Sequence, residues 1–467
     1  MENALLSDLS VRQTGTRYLG QILQALRGRD GQSQAHLMSL TAFMIRIAGA
    51  GLAFLSQVLL ARLMGQFEYG IFVFVWVLAV IVGSLSCLGF PTAIIRFVPQ
   101  YREVGTVDVI RGITLAARLV ALSSAALLGL LGIACLALFA DTIKDYYLIP
   151  LFLGAFLLPM IALGDVLDGT ARANSWMVQA LSPTFLVRPL LILATMVAAL
   201  LLGFDASAET ALAAALIATG ITTMGQLIIV DRRLQHRFDK GPRAFQLGYW
   251  MRIALPIFLV EGFYYLLTNS DVVMVALYVE PEQVATYFAA AKTIALVHFV
   301  FFAVKAGMTP RFAALVAEKD RRELARSAVT AARWTFWSSL LVGGFVLALG
   351  PFFLSLFGSG YTTGYSVMII LFAGIAAKAF VGPGEALLMM SGEQKICAMV
   401  YFAALIINIA GNLALIPHFG INGAAMATMA AMTAEAALLF VIIHRRLGIN
   451  MNILSRKHTI ANSREAS

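Results

Sequence analysis

The chain has 467 residues, of which 60% are hydrophobic and 13% are charged, with a mean hydropathy of +0.84. This composition excludes an ordinary soluble protein, because the surface of a soluble protein must be polar enough to face water. The net charge is +9, and the three cysteines (Cys87, Cys135 and Cys397) lie far apart within apolar runs, which excludes a disulfide framework and a cysteine metal site.

Residues 1–37 precede the first apolar run. They lack the apolar core and the cleavage site of a signal peptide. Leu19, Ile22, Leu23 and Leu26 recur at helical spacing among arginines, which is typical of an amphipathic helix on the cytoplasmic membrane surface. A tail without regular structure is the alternative that the sequence leaves open.

Twelve apolar runs follow, each near the length of about twenty residues that an α-helix needs to cross a bilayer. The predicted spans are 38–61, 69–90, 112–140, 146–166, 176–202, 209–230, 248–278, 284–308, 327–352, 364–390, 396–416 and 421–444. Prolines inside four spans predict bent or broken helices: Pro159, Pro189, Pro256 and Pro383. The seventh span also contains the polar step Asn269-Ser270-Asp271.

The positive charges predict the orientation of the spans. With the N-terminus inside, 24 Lys and Arg lie in the inner tails and connections, whereas the outer connections hold only Arg62 and Lys144. The positive-inside rule then predicts two cytoplasmic termini in a bacterial inner (plasma) membrane. Topology thus explains the net positive charge without a nucleic-acid partner, and anionic lipid headgroups are expected to meet the inner loops.

The two halves of the chain resemble each other at an offset of 215 residues. Arg96-Phe97 aligns with Arg311-Phe312, and Ala116-Ala117-Arg118 aligns with Ala331-Ala332-Arg333. Six spans per half is an even number, so both halves enter the membrane in the same direction and form parallel repeats.

The predicted fold class is therefore an all-α polytopic membrane protein with about 12 transmembrane helices in two six-helix lobes around a central cavity. The lobes are predicted at 38–230 and 248–446, joined by a cytoplasmic linker at 231–247 and followed by a cytoplasmic tail at 447–467.

Sequence motifs in both halves resemble a known family. The region from Ala61 to Gly105 contains ARLMGQFEYGIF and LGFPTAIIRFVPQYREVG, and the second half contains LFGSGYTTGY and PHFGINGAAMATM. Over residues 38–446 the chain resembles the polysaccharide-transporter branch of the multidrug/oligosaccharidyl-lipid/polysaccharide exporter superfamily, which contains the O-antigen and exopolysaccharide repeat-unit flippases. The resemblance implies two lobes in a V and a polyprenyl-diphosphate-linked oligosaccharide as substrate.

Eight cations lie within the predicted spans, against only four acids away from the span ends. An ionisable group at the bilayer centre costs about 2.5–3.5 kcal/mol on insertion scales, so it usually faces a partner or a watery cavity. We therefore predict a cationic cavity for an anionic substrate. The candidate substrate-binding residues are Arg188, Lys378, Arg46, Lys292, Arg118 and Arg333. For Arg118 and Arg333, near the cytoplasmic ends, snorkelling to the headgroups is the alternative.

Two of the acids, Glu261 and Asp271 in the seventh span, are candidates for coupling transport to H⁺ or Na⁺. Structural ion pairs with neighbouring helices are the alternative, and the sequence leaves both open. Asp165 and Asp168, near the end of the fourth span, are interpreted as capping a short loop, with a metal-bound diphosphate site as the less favoured alternative. No other cofactor and no metal site is predicted.

The motifs of several enzyme classes do not occur. The sequence contains neither a P-loop nor H-E-x-x-H, and its outer connections are short. These absences favour a transporter or flippase over an enzyme. Together with the internal repeat and the cationic spans, the resemblance implies a flippase for repeat units of surface polysaccharide (lipopolysaccharide O-antigen, exopolysaccharide or capsule), working by alternating access. A multidrug-type cation antiporter is the alternative, and an integral glycosyltransferase is a third class. The predicted partners are the lipid-linked substrate, membrane lipids, and a polysaccharide polymerase or glycosyltransferases.

Overall fold

The computed structural model describes residues 31–454, and this part of the chain is helical almost throughout. The predicted amphipathic helix around residues 19–26 and the end of the tail lie outside the described residues. In chain order the helices are α1 (Gly31–Leu85), α2 (Phe90–Val104), α3 (Val107–Leu138), α4 (Asp145–Ala173), α5 (Met177–Ser182), α6 (Arg188–Leu201), α7 (Ala208–Arg237), α8 (Leu247–Tyr278), α9 (Pro281–Ile294), α10 (His298–Ala317), α11 (Arg321–Ala348), α12 (Gly350–Phe357), α13 (Tyr365–Val381), α14 (Gly384–Met390) and α15 (Gln394–Leu447).

The helix α1 folds back on itself at Gly65, whose φ of 79° and ψ of 172° are not helical. The Tyr69 hydroxyl donates a hydrogen bond of 2.7 Å to Gln57 Oε1. In a straight helix these two residues would be about 18 Å apart along the axis. The contact therefore requires two antiparallel spans within α1, with the turn made by a glycine because a side chain disfavours this backbone conformation.

The helix α15 folds back in the same way at Gly420, which has a φ of 56°. Asn408 Nδ2 donates to Thr428 Oγ1 over 3.1 Å, although a straight helix would separate the two residues by about 30 Å.

Nine helical segments of the described chain are long and apolar enough to cross a membrane, or ten if the bent pair α11–α12 is one span. Two of the ten contain the folds at Gly65 and Gly420, which gives twelve spans. The predicted all-helical fold with about twelve membrane spans is confirmed.

We number the spans in chain order. Spans 1 and 2 are the two halves of α1, with α2 extending span 2; spans 3 and 4 are α3 and α4; span 5 is α5 with α6; spans 6 and 7 are α7 and α8. Span 8 is α9 with α10, span 9 is α11 with α12, span 10 is α13 with α14, and spans 11 and 12 are the halves of α15.

The helices differ from the predicted spans at several places. Span 2 does not end at residue 90 but continues as α2 to Val104. The helix of span 6 runs on to Arg237, because Val230 and Leu234 still pack against neighbouring helices. The non-helical linker is therefore only 238–246. Helix α8 continues unbroken through Pro256 and Asp271.

Two of the predicted breaks are present. A π-helical turn at Pro183–Val187 precedes Pro189, and Gly382 and Pro383 separate α13 from α14.

Spans 2, 7 and 8 bring the two halves of the chain together through small residues. Gly70 lies directly against the carbonyl of Pro281, and Gly89 against the carbonyl of Ala254. A side chain at either glycine would collide with backbone, so the helices approach as closely as the peptide chain allows. We call the face with both ends of the described chain the terminal face and the other the opposite face.

Candidate functional site

A cavity lies between spans 1, 2, 5, 7 and 8, at the boundary between the two halves of the chain. It has a volume of about 390 Å³. A second cavity of about 370 Å³ adjoins it toward the terminal face and shares six of its lining residues. Together they form the central cavity. Polar side chains on its wall include Ser56, Gln57, Thr184 and Asn269.

Three cations line the central cavity, namely Arg46, Arg188 and Lys292. Among the described residues that line it there is no aspartate or glutamate. Two of the cations come from the first half of the chain and one from the second. The cavity therefore presents a net positive wall in an otherwise apolar setting.

Arg188 is the first residue of α6, directly after the π-helical turn, and is only 6% exposed. Its Nη2 lies 3.4 Å from the position that a Cβ would take at Gly164, which is ordinary van der Waals contact. Its Nε has no hydrogen-bond partner among the described residues. The Asp165 carboxylate interacts with it electrostatically and accepts a hydrogen bond of 2.7 Å from Ser84.

Lys292 stands on the last turn of α9, and its exposed surface faces the central cavity. Its Nζ lies 5.1 Å from the centre of the Phe288 ring. The Cζ atom of Arg46, in span 1, lies 5.6 Å from the centre of the Phe185 ring and 4.9 Å from the centre of the Phe302 ring. Aromatic faces stabilise a cation without neutralising it. The carboxylates of Asp168 and Asp271 act electrostatically on Arg46 and Lys292, with no ion pair to either cation among the described residues.

The other three predicted cations do not line this cavity. Lys378 forms an ion pair of 2.7 Å with Glu435, and both side chains are largely buried. Arg118 pairs with Asp231 at 2.6 Å, and the Arg333 Nε donates to the carbonyl of Ile453 at the terminal face. Each of these side chains is held by a partner away from the cavity wall, so we leave these residues out of the candidate site.

The two coupling candidates lie in different surroundings. The buried Asp271 accepts a hydrogen bond of 2.6 Å from Tyr287, and the Tyr287 hydroxyl in turn reaches Thr428. Glu261 is more exposed and accepts a hydrogen bond of 2.7 Å from Thr92, which joins span 7 to span 2.

Sequence reasoning missed several polar residues beside these groups. Asp165 and Asp168 lie within α4 instead of capping a loop; Asp168 pairs with Arg172 there. Asn408 and Asn412 are fully buried and bonded to each other over 3.0 Å, and Asn412 Oδ1 has no partner among the described residues. The signal was available, since two amides one helical turn apart in an apolar run share a face.

Comparison with protein-family models identifies the chain. Residues 39–316 match the model described as "Polysaccharide biosynthesis protein", and residues 256–414 match the MatE model. No curated protein sequence matches the chain.

Solved structures support the same fold. A multidrug resistance MATE family transporter of the MOP superfamily, in an inward-facing conformation, superposes with a TM-score of 0.69 at 15% identity, covering 88% of this chain and 98% of that one. The lipid II flippase MurJ, in an inward closed conformation, gives 0.66 at 13% identity, covering 86% and 87%.

A MOP superfamily transporter from Pyrococcus furiosus, whose description notes the reverse polarity of its binding pocket, gives a TM-score of 0.58 at 17% identity, covering 91% of this chain and 97% of that one. These identities establish the shared fold. The family match spans more than half of the chain, so the chain belongs to the family described as "Polysaccharide biosynthesis protein" and has the fold of these transporters of the MOP superfamily.

Proposed function

We propose that the protein is a flippase that moves a polyprenyl-diphosphate-linked oligosaccharide across the membrane by alternating access, for the synthesis of a surface polysaccharide. The observation that carries this proposal is the charge of the central cavity, which three cations line without any carboxylate among its described lining residues. The family model of polysaccharide biosynthesis proteins supports the same substrate class.

The chemistry of the cavity fits a diphosphate. Two phosphates carry roughly two negative charges and cannot cross about 30 Å of hydrocarbon without compensation. Arg46 and Arg188 offer planar forks for phosphate oxygens, and Lys292 offers a point charge. Because Lys292 lies on the opposite half of the chain from Arg188, relative movement of the halves would change both contacts and release the anion.

The sugars and the lipid need different surroundings. Gln57 and Asn269 present amide groups to the cavity, and such groups hydrogen-bond to sugar hydroxyls. The polyprenyl tail is proposed to stay in the bilayer while the sugars cross inside.

Neutralising the cavity cations tests the proposal. Arg188→Gln or Lys292→Gln should lower the rate of translocation at least about tenfold, since each charged hydrogen bond to a phosphate contributes roughly 1.5–3 kcal/mol. The measurement is transfer of a polyprenyl-diphosphate-linked oligosaccharide in proteoliposomes, detected by enzymatic access to the sugar in each leaflet.

Exposed cations on the terminal face provide matched controls. Arg321→Gln and Lys395→Gln remove the same charges outside the cavity and should leave the rate within about twofold, as expected for surface substitutions. Wild-type rates in both cavity variants would contradict the proposal.

We further propose that Asp271 couples transport to an ion. A chain of hydrogen bonds leads from its carboxylate through Tyr287 to Thr428, Asn408 and Asn412, and the side chains of these last three residues carry oxygen atoms of the kind that hard cations bind. Transport should therefore depend on Na⁺, and Asp271→Asn should abolish that dependence. A proton gradient that drives the wild type in Na⁺-free buffer would favour H⁺ instead.

Glu261 is the second coupling candidate. Because its carboxylate accepts from Thr92 across the boundary between spans 2 and 7, a structural role in holding the two halves together is the alternative. Glu261→Gln should keep the ion dependence if Asp271 carries the coupling.

A multidrug resistance MATE family transporter shares this fold, and we keep a cation antiporter of the multidrug type as the competing function. It requires a wall that attracts cations, whereas the described wall carries three positive charges. Loss of surface polysaccharide on deletion of the gene supports the flippase, and loss of drug resistance supports the antiporter.

The location and the working partners are also proposals. The charge asymmetry of the connections supports a bacterial inner membrane with the terminal face in the cytoplasm. A polysaccharide polymerase and glycosyltransferases are the proposed partners, because they would consume and supply the lipid-linked sugar.

A further inference from the structure

The linker between spans 6 and 7 encloses a second site, far from the central cavity. Residues 238–246 turn back across the start of α3: the Arg111 guanidinium donates to the carbonyls of Asp239 and Pro242, and the Ala244 amide donates to the carbonyl of Asp108 over 3.0 Å. Helix α3, helix α7 and the linker thereby enclose a pocket of about 440 Å³ at the terminal face, which we call the linker pocket.

The linker pocket carries an excess of positive charge. Four cations line it, Arg111, Arg118, Lys240 and Arg243, against the carboxylates of Asp231 and Asp239. Lys240 and Arg243 are both exposed to solvent. An anion in this pocket would meet the exposed charges of Lys240 and Arg243 at the rim and the guanidinium groups of Arg111 and Arg118 at the base.

The guanidinium groups retain unused donors. Arg118 gives only Nη1 to Asp231, and its Nε and Nη2 are buried without a hydrogen-bond partner among the described residues. The same is true of Arg111 Nε. Buried donors of this kind are rarely left unpaired, and a group with several acceptor oxygens, such as a phosphate, satisfies them best.

An apolar stripe leads from the pocket into the bilayer. On the side of α7 that carries Asp231, four large apolar residues lie between Asp231 and the opposite face of the protein. They are exposed by between 44% and 56%: Ile228, Met224, Ile221 and Ile217. They precede Asp231 in the sequence at spacings of three and four residues, so they lie in one row along the helix. A basic pocket that continues into an apolar stripe matches a phospholipid rather than a soluble anion.

We propose that the linker pocket binds the headgroup phosphate of an anionic phospholipid, whose acyl chains lie along the stripe of α7. Binding at this place holds the connection between the two halves of the chain against α3.

Native mass spectrometry of the purified full-length protein in detergent tests the proposal, with dioleoyl-phosphatidylglycerol and dioleoyl-phosphatidylcholine supplied at equal concentration. The wild type should retain phosphatidylglycerol in preference to phosphatidylcholine. The double variant Lys240→Gln/Arg243→Gln should lower the retained phosphatidylglycerol roughly tenfold or more, because each basic residue near a lipid surface contributes to the attraction. Both side chains are exposed, so the variant should fold normally.

The matched control is Arg321→Gln/Arg322→Gln, which removes two exposed charges from the same face at a distant place and should retain phosphatidylglycerol within about twofold of the wild type, as expected for surface positions. An equal loss in both double variants would overturn the proposal in favour of diffuse surface charge. Retention without preference for the anionic lipid would overturn it too, as would displacement of the lipid by glycerol 3-phosphate at equal concentration, which would indicate a site for soluble phosphate.

Discussion

Cations inside the spans have two different kinds of surroundings in this protein. Arg188 faces the central cavity with an unpaired Nε, whereas Lys378 is neutralised by Glu435. Both are cations of the membrane interior, and the local sequence around each is similarly apolar. A neighbouring helix gives Lys378 a direct ion pair, whereas the Asp165 carboxylate acts on Arg188 only electrostatically, with no ion pair between them among the described residues.

The Lys378–Glu435 pair predicts a stability effect. Lys378→Met leaves a buried carboxylate without its cation and should destabilise the protein by about 3–5 kcal/mol, the usual cost of removing one partner of a buried pair. The double variant Lys378→Met/Glu435→Met removes both charges and should recover most of that loss. Thermal unfolding in detergent measures both.

Transport assays separate this structural role from substrate binding. If Lys378→Met unfolds at the wild-type temperature yet fails to transport, Lys378 acts on the substrate, as its position in an apolar run predicts.

At the scale of helices, two glycines with left-handed backbone let a long helix become two spans. Apart from its own neighbours in the chain, no described residue has an atom within 4 Å of the position a Cβ would take at Gly65, so the cost of a side chain there comes from the backbone. Gly65→Ala should destabilise the protein by about 1–3 kcal/mol, the cost of holding a residue with a side chain in this conformation.

Gly132 provides the control within α3. A Cβ added there would also meet no atom within 4 Å, but the backbone of Gly132 is helical. Gly132→Ala should therefore stabilise the protein by about 0.5–1 kcal/mol. Thermal unfolding of the two variants should move in opposite directions, and a stabilising Gly65→Ala would show that the turn carries no strain.

At the scale of the whole molecule, polar contacts join the two halves on the opposite face. Lys144 forms an ion pair of 2.9 Å with Glu280, Gln66 donates to Thr286 Oγ1 over 2.6 Å, and Arg62 donates to the carbonyl of Ser355 over 2.9 Å. These contacts close the opposite face between the two halves. Under the proposed alternating access, opening of that face requires that they break.

The ion pair makes this closure sensitive to pH. The hydrogen bond from Lys144 holds the pKa of Glu280 below its ordinary value. The stabilisation is therefore complete above the ordinary pKa and is lost as the pH falls through the lowered pKa. Glu280→Gln should remove this dependence and raise the population open on the opposite face by up to about fivefold, since exposed pairs contribute little.

Spin labels at Thr142 and Thr362, one on each half and both exposed, report that population through their distance distribution, with Cys135 replaced by Ser. Asp141→Asn, which removes a neighbouring exposed carboxylate, is the control and should leave the distribution unchanged. A distribution that stays the same in Glu280→Gln at all pH values would contradict the role of the pair.

The sequence by itself determined the number and approximate limits of the spans, because the length of an apolar run and the cost of exposing polar backbone to lipid are local properties. It also determined that Arg46, Arg188 and Lys292 lie at membrane depth, since each falls within such a run.

Only the tertiary structure decided which charges are paired. Lys378 meets Glu435, and Arg118 meets Asp231 from 113 residues away, while Arg188 and Lys292 are brought to one cavity from opposite halves of the chain. Which charges are paired depends on which helix faces pack together and which line the cavity. That is set by packing between spans that are distant in sequence. Electrostatic attraction falls with distance, so a charge has a partner only after the fold has placed one beside it.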